Sequence, residues 1–402
     1  MKEVRIVSAV RTPFGKLGGA LKNKSSVDLG AIAVKGAISR VGLNLEQVNE
    51  VIMGSAALAG STSVAARQIL FKAGLPGSTP SLTIDRACCS SVTAVGLAMK
   101  DILLGEAETV VAGGFESLSQ TPYLLREGRW GKRLGDMTLE DPLQIRNPIT
   151  NTPVALVTGE EALKYGVSRE EQDEWAWESH KKYFAAYESG KYEDELLPVQ
   201  LPTNKGDSII FQQDESPRRD ASLEKLQRLK TVYGSPTITP GNAPGLNDGS
   251  AALVLMSNRM QDKLNLESMA TILSYATISG DASSSVAMPA LAINKALKKA
   301  GMDLEQVKRI EINEAFAAMP LVSTKVLSNG DDALLRQLRS ITNVNGGAIA
   351  IGHPTGASGG RIIMSLIYEL RRIGGGIGVA AICGGYGQAD AVVIKVNEAI
   401  KG

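Results

Sequence analysis

The chain has 402 residues, 44% hydrophobic and 21% charged, with a net charge of +1. That length exceeds one ordinary core, so two or three domains are expected. The near-neutral balance gives no global basic field for nucleic acid or anionic membrane. Aromatic residues are scarce at 4% while glycine reaches 42, so the chain packs small side chains and turns its backbone tightly. Three cysteines exclude a disulfide framework and suit a reducing compartment.

The opening MKEVRIVSAVRTPFG has an apolar run too short for a signal peptide, interrupted by Arg11 and Pro13. No stretch is expected to approach the length of a membrane span. The expectation is a soluble, cytoplasmic protein. LGAIAVKGAISR (29–40) follows a helical pattern and VGLNLEQVNEVIMG (41–54) ends in a β-like run. A second short strand ends at Thr83-Ile84. A helix then follows, apolar at Val92, Val95, Leu97, Met99, Ile102 and Leu103.

Cys88 and Cys89 fall at that strand-to-helix junction. Unpaired N–H groups and the helix dipole there favour a thiolate and lower its pKa. The pair reads either as two small buried hydrophobes or as a nucleophile with a neighbour. Zinc is disfavoured, since there is no CxxC and few Cys or His to fill a site, and a disulfide between adjacent cysteines is strained.

Residues 118–245 have a different texture, rich in charge, proline and all three tryptophans. SREEQDEWAWESHKKYFAAYESG (168–190) predicts a helix with Ser168 as N-cap and Glu171 three residues on. His180 on this charged helix reads as a solvated surface residue. GSAALVLMS (249–257) resumes the buried-strand texture and is expected to return to the first half's sheet.

AGMDLEQVKRIEIN (300–313) then repeats 41–54 at an offset of 259 residues: Gly301 on Gly42, Leu304 on Leu45, Val307 on Val48, Ile310 on Val51. GVAAICGGYG (378–387) repeats ETVVAGGFES (108–117) at an offset of 271, with Ala381 on Val110 and Gly385 on Gly114. Two matches in the same order predict two related α/β halves of mixed sheets covered by helices. The extra residues of the second half fall best on GGAIAIGHPTGA (346–357), which contains His353.

His353, between Gly352 and Pro354, is the candidate for imidazole chemistry. Cys383 ends a buried run and precedes Gly384 and Gly385, so it marks either a bend or a site whose N–H groups face a ligand. Asn313 reads as a helix cap or as an amide that orients water. Strand ends in α/β folds gather sites, and a cysteine with a histidine points to nucleophilic acyl transfer. The residues alone go no further.

VSAVRTPFGKLGG, ARQILFKAGLP, CCSSVTAVGLAM, VVAGGFESLSQTPYLL, KYGVSREEQDEWAWESH, GNAPGLNDGSAALVLMS, EINEAFAA, NVNGGAIAIGHPTGASGGR and CGGYGQADA together carry a resemblance. Along almost its whole length the sequence resembles the thiolases (acetyl-CoA acetyltransferases and acetyl-CoA acyltransferases). The resemblance implies an α/β class, five-layered αβαβα fold built from two related halves. These would be 1–117 with 246–270, and 271–402. Residues 118–245 would form a loop-rich insertion with CoA and oligomer contacts. It also implies reversible Claisen condensation and thiolysis in fatty acid metabolism, by a homodimer or homotetramer. Acyl-CoA and CoA would be the partners, with no cofactor, metal, nucleic acid or membrane.

Carried over residue by residue, Cys88 is the nucleophile and Cys89 fills a small-residue position. His353 activates Cys88 and donates to one oxyanion hole, with Asn313 holding the water that completes it. The N–H groups of Cys88 and Gly385 form the second hole. Cys383 moves the α-proton of the second substrate. Arg218 and Arg219 are candidates for the CoA phosphates, and Ala243, Pro244 and Gly245 for the pantetheine arm.

The sequence departs from the family at Asp85, Ser91, Ala155-Leu156 and Pro244, and in a short 280–290 segment; most of these departures lie toward the pocket and the CoA side. Acetyl-CoA C-acetyltransferase is the leading expectation. The alternatives are a longer-chain 3-ketoacyl-CoA thiolase or a condensing enzyme for unusual acyl-CoAs, and remotely a non-catalytic acyl-CoA-binding subunit. Retention of Cys88, Asn313, His353 and Cys383 together argues against the last.

Overall fold

The computed structural model describes residues 2–57, 63–202 and 207–397. The first strands are β1 (Val4–Arg11), β2 (Gly15–Lys16), β3 (Glu50–Gly54), β4 (Ser81–Ile84) and β5 (Thr109–Ser117). The insertion adds β6 (Val199–Pro202) and β7 (Ser208–Phe211). Then come β8 (Asn247–Ser257), β9 (Ala270–Ser279), β10 (Val307–Ile312), β11 (Gly376–Cys383) and β12 (Gln388–Val396). Among the described residues, β6 and β7 pair alone, and the others form a ten-stranded sheet ordered β10-β11-β12-β9-β1-β8-β5-β3-β4, with β2 on β8.

The internal repeat is visible in this order. From β3 the neighbours are β5 (parallel), β8 (antiparallel) and β1 (antiparallel). From β10 they are β11 (parallel), β12 (antiparallel) and β9 (antiparallel). The strand β8, read as a return after the insertion, pairs with both β1 and β5. A short antiparallel pairing of β1 with β9, Val4 opposite Ile272, joins the two halves.

Side-chain alternation assigns the layers. On β8, Ala251, Leu253 and Leu255 face one core, and Ala252, Val254 and Met256 face another. On β12, Val392 and Ile394 share the first core, while Ala391 and Val393 face a third. The shared core holds the helices Ser90–Leu104 and Ser358–Arg372, sandwiched between the halves. Helix Ser26–Arg40 covers the outer face of the first half and Met288–Ala300 that of the second. This is a five-layered αβαβα arrangement.

Small residues permit the middle layer. A Cβ at Gly359 would sit 2.6 Å from Val92, and Ser91 Oγ accepts from Gly360 N at 2.9 Å, so the two helices meet almost backbone to backbone. One expectation needs correction here. Ala87–Leu104 has the length and mean hydropathy, 1.5, of a membrane span. Its apolarity follows from burial between the two halves, which covers 56% of the span and leaves its C-terminal end, at Lys100, Leu103 and Leu104, exposed.

Candidate active site

A tight turn delivers Cys88. Ala87 adopts a left-handed φ of 48°, with Asp85 Oδ1 accepting from its N–H at 3.0 Å. Ser90 Oγ accepts from Arg86 N (2.8 Å) and donates to Ala87 O (2.6 Å), so the chain leaves β4 and enters the helix within a few residues. Cys89 is the N-cap, fully buried, its thiol donating to Ile382 O at 3.4 Å. A Cβ at Gly384 would lie 2.9 Å from Cys89 Sγ, so the turn after Cys383 packs directly on the turn of Cys88. Arg86 ties the same two turns through Asp390 (2.9 Å) and Gln388 (3.1 Å).

His353 enters on the loop before Ser358–Arg372. Its N–H donates to Asn247 Oδ1 at 2.9 Å, and its Nδ1 lies 2.6 Å from Ser358 Oγ. Ser358 donates its single proton to Pro354 O at 3.0 Å, so it accepts from Nδ1–H. The Nε2 lone pair is thereby left free to act as a base. Glu116 on β5 holds the loop from the other direction, accepting from Thr355 Oγ1 (2.6 Å) and Gly356 N (2.9 Å).

Cys88, His353, Cys383 and Gly385 line one cavity of about 680 Å³, which Arg218, Ala243, Pro244 and Gly245 also line. Two candidates lie outside it. Arg219 pairs with Glu188 at 2.5 Å on the surface. Asn313 is fully buried at the end of β10, its N–H donating to Ala381 O at 3.0 Å; its Nδ2 has no partner among the described residues. No group of His, Cys, Asp and Glu among the described residues could hold a metal ion.

The electrostatics correct one expectation. Burial pushes the Cys88 thiol well up, and Cys383, Glu116 and Asp85 add to the rise, so desolvation outweighs the helix terminus. Burial likewise raises Cys383 to about 11, against the opposing hydrogen bond from Gly385 N–H. Burial pushes His353 down to about 3, helped by Arg361. These directions favour two neutral thiols and a neutral imidazole at rest over a thiolate–imidazolium pair, with Cys88 losing its proton as it attacks.

Profiles of the thiolase N-terminal and C-terminal domains match residues 4–259 and 266–396. The chain belongs to the thiolase family. It is 42% identical to the probable acetyl-CoA acetyltransferase of Mycolicibacterium smegmatis over 97% of this chain and 100% of that one. The crystal structure of the Bacillus anthracis acetyl-CoA acetyltransferase superposes with a TM-score of 0.93 at 38% identity, covering 98% of this chain and 99% of that one. Human mitochondrial 3-ketoacyl-CoA thiolase, solved in complex with CoA, gives 0.91 at 39% identity, covering 98% of each. This thiolase is an acyltransferase.

Sequence reasoning missed several residues of the thiolase site. His180, read as a surface residue, is buried and lines the cavity, its Nδ1 accepting from Arg218 N at 3.2 Å. Its neighbours one turn away, Ala176, Trp177, Tyr183 and Phe184, are apolar or aromatic, a burial signal that the helix's overall charge masked, and Arg218, whose N–H meets Nδ1, lies 38 residues further along the chain. Tyr386 also lines the cavity, and Glu116 and Ser358 hold the histidine loop.

Proposed function

We propose that this thiolase joins acetyl-CoA to an acyl-CoA, and runs the reverse thiolysis, through an acyl group on Cys88. The observation that carries the reading is that Cys88, His353 and the Cys383–Gly385 turn converge on one cavity from three separate segments. His353 Nε2 takes the Cys88 proton as sulfur attacks the thioester carbonyl, then returns it to the departing CoA thiolate. Cys383 passes its proton to the now neutral His353 and, as thiolate, removes the α-proton of acetyl-CoA. The carbanion attacks the acyl carbonyl, the C–C bond forms, and Cys88 leaves as thiolate and recovers a proton from His353. Gly385 N–H and a water held by Asn313 would stabilise the oxyanions; the free Nδ2 of Asn313 supports that role. CoA thioesters serve as substrates and no cofactor is needed.

The relatives' names favour acetyl transfer, and the cavity walls at Arg218 and 243–245 suit the CoA arm. We also infer a homo-oligomer, since Trp130, Leu134 and Ile149 of the insertion stand 90%, 85% and 75% exposed. The test of the chemistry is mass spectrometry of enzyme incubated with acetyl-CoA. Acetyl should appear on the Cys88 peptide, persist in Cys383→Ala and vanish in Cys88→Ser, while Cys383→Ala forms no C–C bond. Label on Cys89, or none, overturns the assignment.

A further inference from the structure

We propose that Tyr386 selects acyl chain length by closing the acyl end of the cavity against the 143–155 segment. The proposal rests on the Cys88 acyl-enzyme reading. Tyr386 sits in a run where glycine would be the unstrained choice: its φ is 50°, between Gly385 at 64° and Gly387 at 72°. A left-handed backbone is unfavourable for a bulky L-residue and persists where surrounding contacts hold it, often at functional sites.

Those contacts are specific. The half-buried ring lines the cavity together with Cys88. Its hydroxyl donates to Arg146 O at 3.4 Å. Arg146 belongs to a loop closed on itself, with Arg146 bridged to Pro153, Asn147 N donating to Thr152 O (2.8 Å) and Val154 N to Ile145 O (3.3 Å). Asn147 Nδ2 anchors the loop to Ala282 O at 2.9 Å. Leu143, Ile145, Val154 and Ala155 of this segment line the same cavity. Tyr386 thus spans from the turn that carries Cys383 to an apolar wall. Tyr386 and Cys88 line the same cavity, so the ring faces the space that an acyl group on Cys88 would enter.

An acetyl group covers little of such a wall, whereas each further buried methylene strengthens binding by about fourfold. Chains that reach the ring gain this way, and longer ones collide with it. Replacing Tyr386 removes the closure and the tie to Arg146 together.

The experiment measures kcat/KM for thiolysis of 3-oxobutanoyl-, 3-oxooctanoyl- and 3-oxododecanoyl-CoA by wild type, Tyr386→Gly and Tyr386→Asn. Both replacements accept a left-handed backbone, so the turn survives without the ring. The ratio of the dodecanoyl to the butanoyl substrate should rise about tenfold or more in both variants. Variants that take acetyl on Cys88 and keep the wild-type ratio overturn the proposal. Variants that melt normally but take no acetyl assign Tyr386 to turn geometry and overturn it as well. Wild type that takes no acetyl on Cys88 refutes instead the reading beneath it.

Discussion

Glu116 accepts a 2.6 Å hydrogen bond from Thr355 Oγ1, joining the end of a first-half strand to the loop that carries the second half's histidine. The same carboxylate accepts from Ser55 Oγ (2.9 Å), Ala56 N (2.9 Å), Ala57 N (3.1 Å) and Gly356 N (2.9 Å). It is 1% exposed. An ionised carboxylate is acceptor-only, which matches a cage of five donors. In Glu116→Gln the amide NH₂ would face N–H and O–H groups, leaving buried donors unmet. The expected cost is about 3 kcal/mol, read from the urea midpoint. Acylation of Cys88 should slow as the loop shifts. An unchanged midpoint would contradict this account.

Ser358 sets the tautomer of His353 by accepting from Nδ1–H. Ser358→Ala removes that acceptor and leaves the ring free to tilt or take the wrong tautomer. The acylation rate should fall about tenfold to a hundredfold, with the substrate KM little changed, because the hydroxyl acts through the base and not on the substrate. Ser358→Thr, which keeps the hydroxyl, should restore part of the rate. Equal rates for wild type and Ser358→Ala in a stopped-flow acylation assay would remove Ser358 from the mechanism.

The sequence made the fold legible where its signals were local or repeated. The two matched segments, 41–54 and 300–313, both feed strands at the same place in their half-sheets, β3 and β10. The Ser168–Glu171 capping box forms as read. What sequence left hidden was tertiary burial. His180 lies on a helix whose overall charge masks its apolar neighbours, and the segment that meets its ring is distant. The helix end at Cys88 suggested a thiolate, and burial, with Cys383 and Glu116 adding to it, reverses the direction. The hydrogen bonds of Glu116 span 59 to 240 residues of sequence, beyond the reach of any local pattern.

Arg11 carries the third prediction. It is fully buried on β1, with Nε 2.7 Å from Glu195 and Nη1 and Nη2 2.7 and 2.9 Å from Asp214. The planar fork serves two carboxylates of the insertion at once, which a lysine ammonium cannot reproduce. Arg11→Lys should leave one buried carboxylate without its partner and cost about 3–5 kcal/mol in a denaturant melt. Glu215 and Ser216, next to Asp214, line the cavity, so the KM for the CoA thioester should rise as well. A variant as stable as wild type would show that the insertion is held by other contacts.

The two histidines give a pH prediction. Burial pushes His353 down to about 3 and His180 to about 4, against 6.5 for a free imidazole. Between those values and 6.5 the unfolded chain binds protons that the folded chain refuses. Unfolding then takes up protons, so the histidines' contribution to stability falls as pH drops through this window and is flat above it. His180→Gln removes one of these groups, and its Tm should decline less than that of wild type between pH 6.5 and 4. A constant Tm difference between the two proteins across the window would contradict the burial effect. The same shift at His353 predicts that kcat/KM shows no inflection near 6.5, because the base is already neutral there. An inflection near 6.5 that disappears in a His353 variant would place the imidazole's titration in the working range and return the site to a thiolate–imidazolium pair.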